Sequence, residues 1–214
     1  HVRGAGSGTI VIKGVSRLTG TRHEVIPDRI EVATYMVAAA LTQGDVTITN
    51  AIPEHVEPVI AKLRETGTNI TVDGDLIRVR GSDHLEGINI KTLPYPGFPT
   101  DVQPQMMTLM TVAKGASMIT ETIFENRFKH AGELRRMGAD ITLEGRVALI
   151  KGVPKLSGAF VEATDLRAGV ALVLAGLVAE GITVVENVSH ILRGYEGLDT
   201  KLNRLGAKII YVEN

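Results

Sequence analysis

The chain has 214 residues, of which 44% are hydrophobic and 22% are charged, and its formal net charge at pH 7 is −1. This balance is typical of a globular protein with a substantial core, and it gives no basis for binding nucleic acid or a membrane surface through bulk charge. No apolar run reaches the roughly 18 residues that a membrane span requires. The most apolar run, at residues 168–181, predicts a buried helix.

The chain begins at His1 rather than at a methionine and opens on no signal peptide, so we expect a piece trimmed from a longer protein. It contains no cysteine, which excludes disulfides, thiolate metal ligands and a cysteine nucleophile within these residues. No two of the six histidines stand three or four residues apart, and no phosphate-binding glycine motif occurs. The sequence therefore predicts no metal site and no cofactor, and it favours a cytoplasmic protein.

The elements predicted along the chain repeat three times. An apolar helix that stops at a glycine and leads into a β-rich run occurs at residues 37–49, 109–120 and 172–185. Downstream of each, an amphipathic helix stops at another glycine and leads into a strand, at residues 62–72, 133–143 and 201–211. An aspartate precedes each apolar helix: Asp28, Asp101 and Asp165. We therefore predict three repeats, at about residues 21–80, 87–153 and 156–214.

Each repeat is predicted to run strand, apolar helix, strand, amphipathic helix, strand, strand. In the second repeat these elements fall at about residues 87–93, 101–114, 117–122, 129–138, 139–144 and 147–152. Strands that alternate with helices indicate an α/β fold, and a helix that is apolar on nearly all sides must lie inside it. Three such units around a shared centre predict one domain with helices inside and sheets outside.

The third repeat lacks a predicted last strand, because the chain ends soon after residues 209–211. Residues 9–20 match residues 147–158, which contain the last strand of the second repeat. We therefore predict that residues 9–14 pair beside residues 207–212 and close the domain head to tail.

Four motifs give the sequence a specific resemblance to a known family. They are PGFPTD at 96–101, ETIFENRF at 121–128, ATDLRA at 163–168 and ILRGYE at 191–196. In this order they resemble the UDP-N-acetylglucosamine enolpyruvyltransferases, which belong to a wider family that includes 5-enolpyruvylshikimate-3-phosphate (EPSP) synthase. The resemblance covers the chain from about residue 4 to its end, and it implies the C-terminal half of an enzyme about twice as long.

The resemblance implies a fold and a reaction. Family members have two domains, each an inside-out α/β barrel of three βαβαββ units, so this chain is expected to form one domain and to lack its partner. The reaction transfers the enolpyruvyl group of phosphoenolpyruvate to the 3-hydroxyl of UDP-N-acetylglucosamine and releases phosphate, as the first committed step of peptidoglycan synthesis. It needs a base near the sugar hydroxyl, an acid for the vinyl carbon, and cations for the carboxylate and phosphate. Half of this site lies in the partner domain, so the chain alone is expected to be inactive.

Asp101 has two interpretations. Three prolines within residues 94–99 stiffen the chain before Asp101, which is predicted to lie in the first turn of a helix. An aspartate cap at such a position stabilises a helix by about 1 kcal/mol. Asp28 and Asp165 stand at equivalent places, which favours capping. The resemblance implies instead that Asp101 is the base that acts on the sugar hydroxyl, and one aspartate at a helix start can fill both roles.

Arginines are the predicted anion ligands. The resemblance assigns Arg193 to catalysis and phosphoenolpyruvate binding, and Arg127 to the same anionic pocket. A guanidinium can hold a carboxylate or a phosphate through two parallel hydrogen bonds, whereas a lone surface arginine more often forms only a loose ion pair. Asp165 and Arg167 are expected to form a cap and an ion pair that support the site.

Ile123 and Phe124 match positions that line the nucleotide-sugar pocket of the family. The resemblance implies that Ile123 contributes its backbone and shape and that Phe124 forms an apolar wall. Core packing at the end of a strand is the alternative for both. Glu125 and Asn126 are expected to hold Arg127 in place rather than to touch substrate.

Three other functions remain open from the sequence. An EPSP synthase-like enzyme is disfavoured by FENRF together with PGFPTD, and a non-catalytic ligand-binding domain is possible if the chain acts alone. RNA 3′-terminal phosphate cyclase shares the βαβαββ unit, but the near-neutral charge and the missing nucleotide-binding loop disfavour it.

Overall fold

The elements of this computed structural model, which describes residues 1–212, follow the three predicted repeats. A short hairpin comes first and has two strands: β1 (Val2–Arg3) and β2 (Val11–Ile12). The first repeat contains α1 (Arg29–Leu41), β3 (Asp45–Ile48), α2 (Glu57–Glu65), β4 (Asn69–Asp73) and β5 (Leu76–Arg80). The second contains β6 (Asn89–Lys91), α3 (Gln103–Val112), β7 (Ala116–Thr120), α4 (Lys129–Arg136), β8 (Asp140–Glu144) and β9 (Val147–Lys151). The third contains β10 (Phe160–Glu162), α5 (Leu166–Val178), β11 (Val184–Glu186), α6 (Ser189–Leu192) and α7 (Leu198–Arg204). The last two residues of the predicted third repeat, 213 and 214, lie outside the described residues.

The three sheets follow one plan to different extents. The second repeat builds four strands in the order β6-β7-β9-β8, with β6 and β7 parallel and the other neighbours antiparallel. The first repeat forms only the antiparallel part, β3-β5-β4, and the third only the parallel pair β10-β11. Within residues 1–212, the prediction of four strands is therefore confirmed for the second repeat and wrong for the first, and the third repeat forms two of its three predicted strands.

The apolar helices occupy the centre. Nine of the ten residues of α3, from Gln103 to Thr111, are buried, and α3 packs against both α1 and α5. The amphipathic helices α2 and α4 bury only one face each, and the sheets cover the outside. This arrangement confirms the predicted α/β fold with helices inside and sheets outside. In the described part of the chain, no helix is both long and apolar enough to cross a membrane.

Glycines end the amphipathic helices as predicted. Gly67, Gly138 and Gly206 follow α2, α4 and α7 with φ values of 91°, 93° and 104°. A side chain would strain this left-handed conformation, which turns the chain out of a helix. The turn after α4 leads directly into β8, so the glycine sets where the outer strand begins.

The predicted pairing of residues 9–14 with residues 207–212 is wrong. Val11 pairs with Arg3 and Ile12 with Val2, because the glycine-rich turn at residues 4–8 folds the chain back locally, and a short loop costs less entropy than a long one. At the other end, residues 207–212 form no strand. The amide of Asn203 bonds both backbone groups of Ile209, at 2.8 Å each, and so occupies the groups that a neighbouring strand would use.

Candidate functional site

Asp101 lies in a 3₁₀ turn, Thr100–Val102, directly before α3. Its side chain accepts no hydrogen bond from the backbone at the start of this turn or of α3, so the capping interpretation is wrong at this position. Instead, Oδ1 accepts a hydrogen bond from Arg127 Nη2 at 2.8 Å, and Oδ2 accepts one from Arg167 Nη2 at 3.3 Å. The carboxylate therefore joins two arginines that come from different repeats.

The two equivalent aspartates do cap their helices. Oδ1 of Asp28 accepts from the backbone N–H groups of Ile30 at 2.8 Å and Glu31 at 3.4 Å, at the start of α1. Oδ1 of Asp165 accepts from the N–H groups of Arg167 and Ala168 at 2.8 and 2.9 Å, at the start of α5. The predicted cap at Asp165 is confirmed, whereas the ion pair of Arg167 forms with Asp101 instead.

Asp101, Arg127 and Arg167 form a charged cluster, of which Arg127 is the most buried member. Its side chain is 8% exposed, against 41% for that of Asp101 and 17% for that of Arg167. Nη2 also donates to the carbonyl of Thr100 at 3.2 Å, and Cζ lies 5.2 Å from the centre of the Phe124 ring, within cation–π range. Burial of a charge is costly unless it is paired, so Asp101 compensates the buried guanidinium while its own side chain stays partly exposed to solvent.

Ile123 and Phe124 stand beside this cluster and face outwards. Their exposed fractions are 42% and 55%, so the core-packing alternative is wrong for both. Glu125 and Asn126 do not hold Arg127 as expected. Glu125 pairs with Arg146 at 3.1 Å, and Asn126 adopts a left-handed turn with φ 54°.

Arg193 lies at the end of α6 and is exposed, without an ion pair to any described residue. Its neighbour Gly194 packs on the first residue of α5, where an added Cβ would come within 2.8 Å of the Leu166 side chain. The structure thus brings Arg193 to the end of the domain where α5 begins, but not into contact with Asp101.

Tyr195 anchors the Arg193 segment and was not identified from the sequence. It is 1% exposed, and its hydroxyl lies 2.8 Å from Thr34 Oγ1, which also accepts from Gln105 Nε2 at 3.1 Å. Burial raises the pKa of the Tyr195 phenol, and the nearby charge of Arg167 opposes part of this rise. The only signal in the sequence is an aromatic residue two positions after the predicted ligand.

Glu121 was also missed, although it begins the quoted ETIFENRF motif. Its carboxylate, directly after β7, is 1% exposed and accepts hydrogen bonds from Thr92, Thr100, Ile123 and Phe124. The available signal was a charged residue directly after an alternating apolar strand, with a threonine on each side of it in the sequence, Thr120 and Thr122.

His130 lies one turn after Arg127 and is 1% exposed, and neither ring nitrogen has a hydrogen-bond partner among the described residues. Burial lowers the pKa of His130 to about 4, while the charge of Asp165 opposes this decrease and that of Arg127 adds to it. Within residues 1–212, no group of three or more histidine, aspartate or glutamate side chains could hold a metal ion.

Comparison with known sequences shows the family. The family model for EPSP synthase (3-phosphoshikimate 1-carboxyvinyltransferase) matches residues 1–202. The chain is 58% identical to UDP-N-acetylglucosamine 1-carboxyvinyltransferase 1 of Carboxydothermus hydrogenoformans, over 97% of this chain and 50% of that protein. It is 59% identical to the UDP-N-acetylglucosamine 1-carboxyvinyltransferase of Desulfofundulus thermocisternus, over 98% of this chain and 86% of that protein. The chain therefore belongs to the EPSP synthase family.

Solved structures show the same fold. The enolpyruvyl transferase NikO from Streptomyces tendae aligns with a TM-score of 0.79 and 30% identity, over 86% of this chain and 44% of that one. EPSP synthase from Acinetobacter baumannii aligns with a TM-score of 0.78 and 24% identity, over 100% of this chain and 53% of that one. The chain thus spans about half the length of these structures and of the Carboxydothermus relative.

Proposed function

We propose that this chain is the C-terminal half of a UDP-N-acetylglucosamine 1-carboxyvinyltransferase. In the whole enzyme it supplies the base and part of the anion site for transfer of the enolpyruvyl group from phosphoenolpyruvate to the 3-hydroxyl of UDP-N-acetylglucosamine, with release of phosphate. The observation that carries the proposal is Asp101, which, unlike its two equivalents, is not a helix cap and whose half-exposed carboxylate pairs with two arginines. The names of relatives at 58% and 59% identity supply the substrate.

Asp101 accepts the proton of the sugar hydroxyl as the new C–O bond forms. An ionised carboxylate has about four acceptor positions, and the two arginines use one on each oxygen. Each oxygen therefore keeps an acceptor position for the hydroxyl. The arginines hold the carboxylate from two sides, and such fixed positioning favours proton transfer.

The arginines also serve the second substrate. Phosphoenolpyruvate carries a carboxylate and a phosphate, which a guanidinium can grip through two hydrogen bonds. Arg193 is exposed, and its guanidinium binds an anionic group of phosphoenolpyruvate during catalysis. Arg127 lines the same pocket beside Asp101. The exposed side chains of Ile123 and Phe124 form the apolar wall for the nucleotide sugar.

The remaining parts of the site belong to a partner domain, because the chain spans about half the length of the Carboxydothermus relative. The acid for the vinyl carbon is among them, so the chain alone does not turn over. The reaction takes place in the cytoplasm and supplies peptidoglycan synthesis, on which cell shape and division depend.

The test joins the amino-terminal half of the Carboxydothermus relative to this chain and measures phosphate release. We expect turnover with UDP-N-acetylglucosamine that Asp101→Asn lowers by about 100-fold or more, the range for loss of a general base. Arg193→Lys should raise KM for phosphoenolpyruvate, whereas Arg204→Lys, an exposed arginine on α7, should not. Turnover with shikimate 3-phosphate in place of the nucleotide sugar would instead identify an EPSP synthase.

A further inference from the structure

Glu121 is a buried carboxylate whose hydrogen-bond donors are all uncharged. Oε1 accepts from Thr92 Oγ1 at 2.8 Å and from the backbone N–H groups of Ile123 and Phe124 at 2.8 and 2.9 Å. Oε2 accepts from Thr100 Oγ1 at 2.9 Å. Because a buried carboxylate is costly unless its acceptor positions are filled, four donors converging on it indicate a built arrangement.

The four donors come from three segments of the proposed site. Thr92 follows β6, Thr100 immediately precedes Asp101, and the other two donors are the backbone of the proposed pocket wall at Ile123 and Phe124. Two of these segments, those of Thr92 and of Ile123, are also joined by hydrogen bonds that do not involve Glu121. Thr92 accepts at Oγ1 from the N–H of Thr122 at 2.8 Å, and its carbonyl accepts from the Thr122 hydroxyl.

We infer that Glu121 is a positioning residue that fixes the distance between the base Asp101 and the pocket wall formed by Ile123 and Phe124. It touches no substrate and acts only through the segments that it joins. This inference rests on the proposed function, because it takes the roles of those three residues from that proposal. Hydrogen bonds to a charged acceptor are stronger than those between neutral groups, which explains why a carboxylate rather than an apolar residue fills this space.

The chemistry of the contact predicts which replacements preserve it. In Glu121→Gln the amide oxygen can take the place of Oε1 and keep three of the four donors, and the amide nitrogen can donate to Thr100 Oγ1. Glu121→Leu has a similar size but accepts no hydrogen bond. Glu144→Leu is the matched control, because Glu144 is an exposed glutamate at the end of β8 in the same sheet.

The first experiment measures amide hydrogen exchange at Ile123 and Phe124 in this chain, which needs neither substrate nor turnover. Glu121→Leu should exchange at least about 10-fold faster than wild type, as expected for loss of a hydrogen bond to a charged group. Glu121→Gln keeps these hydrogen bonds without the charge and should exchange at a rate between those of wild type and Glu121→Leu, whereas Glu144→Leu should exchange like wild type. Unchanged protection in Glu121→Leu would overturn the inference.

The second experiment uses the same variants joined to the amino-terminal half of the Carboxydothermus relative. Glu121→Leu should lower kcat by about 100-fold, the cost of misplacing a group by about 1 Å, and change KM for phosphoenolpyruvate less than threefold. Rescue by Glu121→Gln separates positioning from a general loss of structure. Should Glu121→Leu fail to fold, Thr100→Val removes a single donor, and an unchanged kcat in that variant contradicts the inference.

Failure of the proposed function gives a different result. If Asp101→Asn keeps full turnover, the assignment of the base is wrong, while the amide exchange still reports whether Glu121 orders the segment. If Asp101→Asn is inactive and Glu121→Leu is folded and fully active, only the positioning role is wrong.

Discussion

Asp101 and Arg127 form an ion pair of 2.8 Å in which the arginine is buried and the aspartate is half open to solvent. The asymmetry matters because a buried guanidinium depends on its partner, while the partner can still meet a ligand. Arg167 approaches the second oxygen at 3.3 Å, so one carboxylate links the second repeat to the third.

Removal of the Asp101 charge should destabilise the chain. Asp101→Ala leaves Arg127 buried without its anion, and we expect a loss of about 1–2 kcal/mol, reduced from the cost of a fully buried pair because Asp101 is 41% exposed. Urea denaturation of the chain measures it. Asp45→Ala removes an exposed pair with Arg78 on the first sheet and should cost less. An equal effect in both variants would contradict the role of burial.

Asp165 should contribute to stability as a helix cap. Asp165→Ala removes two hydrogen bonds from the first turn of α5 and should cost about 1 kcal/mol, whereas Asp165→Asn keeps an acceptor and should cost a few tenths. Thermal or urea unfolding of both variants checks this. If asparagine is as harmful as alanine, the charge and not the cap is what stabilises α5.

His130 should make the chain less stable in mild acid. Its folded pKa of about 4 lies below the ordinary 6.5, so the unfolded chain takes up a proton that the folded chain refuses. The contribution is fully present above pH 6.5 and is lost as the pH falls towards 4. The loss of stability reaches about 3 kcal/mol at pH 4, since one pKa unit corresponds to about 1.4 kcal/mol.

Replacement of this histidine tests the sign of the effect. His130→Leu should lose less stability than wild type between pH 7 and pH 4, by about 3 kcal/mol in urea unfolding. His84→Leu, at an exposed histidine, should keep the wild-type dependence. Parallel curves for wild type and His130→Leu would show that this histidine does not drive acid unfolding.

Tyr195 should hold the Arg193 segment through its hydroxyl. Tyr195→Phe removes the 2.8 Å hydrogen bond to Thr34 and should cost about 1 kcal/mol of unfolding free energy, the usual net value of such a bond. Amide exchange in residues 192–196 should rise together with this loss. Tyr211→Phe, at a half-exposed tyrosine near the chain end, is the control and should change neither quantity.

The order of helices and strands was accessible from the sequence because it depends on local rules. Apolar periodicity marked α3 and α5 as inner helices, and the glycine stops at Gly67 and Gly138 marked where outer strands begin. Four motifs then carried the resemblance that comparison with relatives confirmed.

Only the tertiary structure decided which partners these residues take. Three aspartates occupy equivalent places in the sequence, yet Asp28 and Asp165 cap helices while Asp101 pairs with two arginines from separate repeats. Residues 9–14 resemble a strand that completes a repeat, yet they pair with their own neighbours. In both cases the outcome depends on groups distant in the sequence competing with local ones, and local patterns carry no information about that competition.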